Sequence, residues 1–349
     1  MRHDGILGWD LGGAHTKAAL ITDQGQVDSV MQIACPLWQG LEHLETSIDQ
    51  IVGELGEVGR LKHAVTMTGE LVDLFPDRET GVSALIDTMT QRFPLADLAI
   101  FSGGSEFLDS QRAKSSALQV ASANWLATGA WVANQLPEGL LIDVGSTTTD
   151  LIPFADKQVL LEEGSDHHRL VEQTLVYTGI VRTPLMAIAT KVPFAGEWVD
   201  LMAEHFATTA DIYRITGELP EGADLLPSAD NGEKSIDGSE RRLARMLGLD
   251  ADASNRAGWK RVAEYLAEQQ LRRLQDACER LLSRPPLSSN APLVGAGSGR
   301  FLIKRICRRL NRPYVGIESL FPCDASIAFK VADCAPAVAV ASLALEGSK

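Results

Sequence analysis

No apolar run in this chain is long enough to cross a bilayer, and no two of its cysteines have the C-x-x-C spacing of a zinc or redox site. Cysteine is sparse as well. Cys35, Cys278, Cys307, Cys323 and Cys334 are scattered and odd in number, which argues against a disulfide frame and fits reduced structural thiols. Positive charge is in deficit, with 32 Lys and Arg against 46 Asp and Glu and a formal charge of -14. Such a surface repels nucleic acid and anionic membranes while leaving room for a local basic pocket, so the expected partners are small molecules or proteins. The N-terminus lacks the regions of a signal peptide because a strand pattern begins almost at once, and the expected compartment is the cytoplasm. Solenoid periods and low-complexity tracts are missing too. A homodimer is compatible with this composition.

What is present is 349 residues, 45% of them hydrophobic, enough for a sizeable core in two lobes. Periodicity predicts strands at "GILGWDL", "TKAALIT" and "QVDSVMQIA", a helix near 41–55, and strands at "HAVTMT" and "LAIFSG". That order gives an α/β fold, a mixed sheet covered by helices. A helix over 122–135 leads into "GLLIDVGSTTTDLIPF", 139–154, which repeats the opening plan of strand, Asp-x-Gly turn and strand. The expected division is a first lobe at 1–138, completed by a small-residue helix at 335–347, and a second lobe at 139–334 with a helical insertion. Within the second lobe the polar stretch 218–252 reads as a long loop or mobile lid. An amphipathic helix follows over 259–282, then a strand, turn and helix at "APLVGAGSGRFLIKRI".

Three turns carry chemistry. In "GWDLGGAHTKAAL", 8–20, adjacent Gly12 and Gly13 remove the Cβ atoms that would keep the backbone from a phosphate. Asp10 at the strand end suits a hydrated divalent cation or a base, Thr16 and Lys17 suit phosphate oxygens, and His15 lies inside the turn. A tight hairpin with an exposed lysine would explain the same pattern. The second hairpin, with Asp143, Gly145, Ser146, Thr147, Thr148 and Asp150, makes coincidence harder to sustain, because two such hairpins can clamp a polyphosphate. Gly295, Gly297 and Gly299 in "VGAGSGRF" stand between a strand and a helix and suit a backbone lying against a base, ribose or diphosphate. The stretch is not a Walker A loop. Thr68 and Glu70 after a strand, Asn124 at a helix start and Arg182 before Thr183 are candidates for substrate contact. For these the alternatives are a cap, a core position or a surface ion pair. His167 and His168 are adjacent, and adjacent side chains rarely face one metal.

The order of these parts resembles the superfamily of acetate kinase, sugar kinases, heat-shock ATPases and actin. That likeness implies two ribonuclease-H-like lobes around a central cleft, with Asp10, Gly12, Gly13 and Thr16 in the first phosphate hairpin. Asp143, Gly145 and Thr147 match the second hairpin, and Gly295 to Gly299 the adenosine turn. More closely, "GWDLGGAHTKAA", "AVTMTGELVDLF", "ASANWLATG", "IDVGSTTTDLIP" and "YTGIVRTPL" resemble the hydantoinase/oxoprolinase branch and its short members linked to tetrahydromethanopterin-dependent one-carbon transfer. Archaeal members of that group act in methanofuran biosynthesis, joining an aminomethyl-furan methanol diphosphate to γ-glutamyltyramine through an ether with loss of pyrophosphate. A bacterial member would serve methylofuran assembly.

The resemblance therefore implies a transferase. Asp10 and Asp143 would hold Mg²⁺ on the diphosphate, and Lys17 with Thr16, Ser146, Thr147 and Thr148 would bind its oxygens. Since a diphosphate and the tail of ATP ask for similar donors, an ATP-dependent kinase or hydrolase is the rival expectation. A non-catalytic nucleotide-binding assembly factor is the second.

Overall fold

The near-continuous apolar run Gly5–Leu11 forms β1, the centre of a six-stranded sheet ordered β3-β2-β1-β4-β5-β6 in the computed structural model, which describes residues 5–103, 106–161 and 164–347. The other strands are β2 (His15–Thr22), β3 (Val27–Ala34), β4 (Lys62–Met67), β5 (Asp97–Phe101) and β6 (Phe107–Leu108). β1, β2 and β3 form an antiparallel meander, whereas β4 and β5 run parallel to β1 and are reached through helices. The helix Glu42–Leu55 enters before β4, packs on β2 and β3, and buries Leu44, Ile48 and Ile51, one face at helical spacing, in the core cluster that also holds Leu7, Trp9 and Leu11 of β1 and Val65 and Met67 of β4. The helix Arg78–Arg92, capped by Asp77 through the Thr80 amide at 2.8 Å, enters before β5. Its apolar stripe is diluted by charge, and the sequence pattern alone does not reveal it.

The remaining strands are β7 (Glu138–Val144), β8 (Thr149–Ala155), β9 (Gln158–Val159), β10 (Leu175–Val176), β11 (Lys191–Phe194), β12 (Glu197–Asp200), β13 (Leu293–Ala296) and β14 (Tyr314–Gly316). A second sheet runs β10-β8-β7-β13-β14 with β9 beside β8, and β11 and β12 form a separate hairpin. By internal contacts the chain divides into one compact unit of 1–141, 152–169 and 315–349 and another of 142–151 and 170–314.

Residues 152–169 and 315–334, expected in the second lobe, thus fall in the first unit. The cause is local packing: a Cβ at Gly129 in the helix Asn124–Gln135 would meet Ile152 at 2.9 Å and Val159 at 3.1 Å. Phe321 likewise stacks on Trp131 at 5.3 Å, and the Val27 amide donates to the Pro322 carbonyl at 2.8 Å. The helix Ala335–Glu346 belongs to the same unit and packs on β1 and on the helix Asn124–Gln135.

A second correction concerns 218–252. The stretch contains a helix, Ile236–Met246, capped by Ser235 through the Gly238 amide at 3.0 Å. The loop ahead of that helix is fastened: Arg214 pairs with Asp224, and Arg242 Nη1 pairs with Asp230 at 3.1 Å and donates to the Glu233 carbonyl at 3.2 Å. Polar composition here marks an ion-pair network rather than a free lid. Among the described residues no helix is long and apolar enough to cross a membrane.

Candidate functional site

In the first unit the hairpin β1–β2 sets Asp10 directly across from Lys17, with Lys17 Nζ 3.9 Å from Asp10 Oδ2. Directly opposed residues of an antiparallel pair share a face, so the next pair, Leu11 and Thr16, points the other way. Thr16 is accordingly fully buried, its hydroxyl 2.7 Å from Ser47 Oγ, and it faces the core instead of the phosphate oxygens expected of it. Gly12, Gly13 and Ala14 make the turn, where the Gly12 amide donates to the His15 carbonyl at 3.0 Å and the Gly13 carbonyl accepts from Leu37 at 3.1 Å. His15 is buried at the start of β2, two positions from Lys17 and so on the same strand face.

The Thr68 amide donates to the Leu11 carbonyl at 3.0 Å, which fastens the end of β4 to this hairpin. Gly69–Leu71 then forms a single 3-10 turn that buries Glu70. Glu70 Oε1 accepts from Ser122 Oγ at 2.9 Å, and that hydroxyl also lies 3.2 Å from Asp166 Oδ2, which takes Arg78 Nη2 at 2.9 Å. Burial pushes the Glu70 carboxyl up and Asp166 adds to the rise, opposed by Glu70's own backbone amide, the Ser122 hydrogen bond and Arg78. Asn124 spends its side-chain oxygen on the Trp125 amide at 2.7 Å, so its place is at the helix start and the substrate contact expected of it is not needed to explain it.

In the second unit the turn Gly145, Ser146, Thr147 and Thr148 is closed by the Gly145 amide on the Thr148 carbonyl at 2.9 Å. All four residues and Asp143 are half-buried. The glycine turn meets this hairpin: Gly297 has φ +75, and a Cβ there would stand 2.3 Å from Asp143 Oδ1. The Gly299 amide donates to the Val144 carbonyl at 2.8 Å. Gly295 lies under the Tyr314 ring, which a Cβ would strike at 2.6 Å. Asp143, Gly145 to Thr148 and Gly295 to Gly299 are therefore one construction.

Sequence reasoning missed how the "YTGIVRTPL" segment completes it. The Ile180 amide donates to Gly145 O at 3.0 Å, and the Val181 and Arg182 amides donate to Ser146 O at 3.0 and 2.9 Å. Gly179 is pressed so close to the turn that a Cβ would lie 2.4 Å from the Ser146 carbonyl carbon. Gln270 Nε2 donates to Thr178 Oγ1 and to the Gly179 carbonyl, both at 2.8 Å, while Tyr213 donates to its other atom. A fully buried glutamine on the apolar face of the helix Arg256–Leu282 was the available signal. Arg182 is delivered beside the Ser146 backbone, and burial lowers its guanidinium from the ordinary value while Tyr177 opposes the shift.

Among the described residues no group of three His, Cys, Asp or Glu is arranged to hold a metal ion. Mg²⁺ usually takes one or two carboxylates and completes its shell with water and substrate phosphate oxygens, a habit that single strand-end aspartates suit.

A family model described as hydantoinase/oxoprolinase matches residues 62–344. The chain is 32% identical over 339 residues, 97% of each chain, to (4-{4-[2-(gamma-L-glutamylamino)ethyl]phenoxymethyl}furan-2-yl)methanamine synthase of Methanocaldococcus jannaschii. It is 37% identical over 82 residues to the synthase of the same name from Methanococcus vannielii, covering 24% of this chain and 36% of that one. Among solved structures, nucleotide-free acetone carboxylase superposes with a TM-score of 0.59 at 10% identity, over 86% of this chain and 66% of that chain. The fold is an α/β fold shared with that structure. The chain belongs to the hydantoinase/oxoprolinase family, and its relative along the whole length is an enzyme.

Proposed function

We propose that this enzyme joins an aminomethyl-furan methanol diphosphate to a phenolic, tyrosine- or tyramine-derived acceptor, forming an aryl furfuryl ether and releasing pyrophosphate in the assembly of a methanofuran-type cofactor. The observation that carries the reading is the likeness, over 97% of both chains, to a synthase whose product name contains that phenoxymethyl-furan bond. The chemistry suits the residues. A furfuryl carbon departs readily from diphosphate when cations and hydrogen-bond donors meet the charge growing on the leaving group. Lys17 supplies a cation to one hairpin, and the hydroxyls of Ser146, Thr147 and Thr148 with Arg182 serve the other. Asp10 in one hairpin and Asp143 in the other are each the kind of carboxylate that would hold Mg²⁺, which would neutralise diphosphate charge.

The test supplies purified protein with Mg²⁺, the furfuryl diphosphate and a tyramine-type phenol, and follows ether and pyrophosphate together. They should appear in equal amounts, and Asp10→Asn or Asp143→Asn should lower turnover by about 100-fold or more. No ether in that assay, with hydrolysis of ATP when ATP is supplied in its place, would move the assignment to the kinase or hydrolase class.

A further inference from the structure

The ether-forming reaction leaves a phenol proton to be placed, and one buried acid has no task yet. Glu70 is 1% exposed, and its Oε2 has no hydrogen-bond partner among the described residues. A buried carboxyl oxygen left over in this way is costly unless a proton or a ligand takes it. Its neighbours sharpen the point. Ser122 offers one hydroxyl proton to two carboxyls, Glu70 and Asp166, and the Arg78 guanidinium pairs with Asp166. Ser122 is also held at φ 53, a left-handed conformation that costs a non-glycine residue and persists where its surroundings hold it. The Thr68 amide bound to Leu11 O keeps this carboxyl two residues from the backbone of the first hairpin.

We propose that Glu70 is the general base that accepts the phenol proton of the acceptor, with Ser122 orienting it; this rests on the ether-forming reading above. As the phenol O–H proton passes to Oε2, the phenol oxygen forms its bond to the furan methylene carbon. The bond from that carbon to the diphosphate oxygen breaks, and its electron pair leaves on pyrophosphate. Glu70 returns the proton to solvent once the ether departs. Burial raises the Glu70 carboxyl toward the working pH, where a base transfers protons most effectively. The charged groups that face it among the described residues are Asp166, which raises it, and Arg78, which lowers it.

The experiment compares pH profiles of kcat for the wild type, Glu70→Gln, Asp166→Asn and Arg78→Gln, with pyrophosphate affinity measured by calorimetry. Glu70→Gln should lose about 100-fold or more in kcat while binding pyrophosphate within twofold of wild type. Asp166→Asn should move the acid limb to lower pH and Arg78→Gln to higher pH, a pair of opposite shifts that a purely structural cluster does not produce. These two shifts decide the matter by themselves if Glu70→Gln fails to fold. If the wild type makes ether but Glu70→Gln keeps kcat within threefold, or the neighbours leave the acid limb in place, Glu70 is not the base and the ether-forming reading stands. A wild type that makes no ether overturns both.

Discussion

Lys17 and Thr16 are adjacent in sequence and opposite in fate, because successive residues of a strand face opposite sides of the sheet. Lys17 shares its face with Asp10 at 3.9 Å and keeps partial exposure, whereas Thr16 is enclosed with Ser47. A partly exposed ion pair contributes little stability, about 1 kcal/mol at most, so Lys17→Met should leave Tm nearly unchanged. If its charge meets the leaving diphosphate, the same substitution should lower kcat about tenfold or more, and Lys17→Arg should recover only part, since a guanidinium needs a different geometry. Thr16→Ala should do the reverse, lowering Tm and sparing kcat, because it leaves a buried Ser47 hydroxyl with one partner fewer. Paired melting curves and saturating-substrate rates decide; a Lys17→Met enzyme with full kcat would assign that lysine to solvent.

At the scale of elements, both hairpins were legible because apolar runs bounded by glycine and small hydroxyl residues admit few alternatives to strand and turn. Glu70 could be singled out from its place after β4, but not its burial, which depends on Ser122 and Asp166, 52 and 44 residues apart from their partners in the chain. Distance in sequence is what hid this cluster. The segment 218–252 failed for another reason: its charges look solvated in isolation, yet Arg242 and Asp211 are almost wholly buried and lie 2.8 Å apart. Asp211 also caps the helix Thr209–Thr216 through the Thr208 amide at 3.0 Å. Removing one partner of such a pair strands the other charge, at a cost of about 3–5 kcal/mol. Arg242→Leu should therefore lower Tm by several degrees and expose 218–235 to protease, while the wild type resists cleavage there. Rapid cleavage of the wild type within 218–235 would restore the mobile-lid expectation.

For the whole molecule the central question is how its stability responds to acid, and the core of the first unit holds the deciding group. His63 is fully buried: Nδ1 accepts from Trp9 Nε1 at 3.2 Å, and Nε2 bonds the Val58 carbonyl at 3.0 Å, which assigns the proton to Nε2 in the neutral ring. Phe93 closes the cluster, its ring centre 4.2 Å from that of His63. Burial pushes the His63 pKa down from 6.5 to about 4. Between those values the unfolded chain binds a proton that the folded chain refuses, so the contribution of His63 is fully present above pH 6.5 and is lost as pH falls toward 4. The full span amounts to about 3 kcal/mol, of which about 2 kcal/mol falls between pH 7 and 5. Glu70 acts in the opposite sense: its raised folded pKa gives stability that is complete below 4.5 and lost as pH rises through the folded value, so it partly offsets the His63 slope. His63→Gln keeps an acceptor for Trp9 and a donor for Val58 without a titrating ring. Urea unfolding at pH 7 and pH 5 should show the wild type losing about 2 kcal/mol more than this variant over that interval. Equal losses would mean that the ring is not the acid-sensitive element of the core.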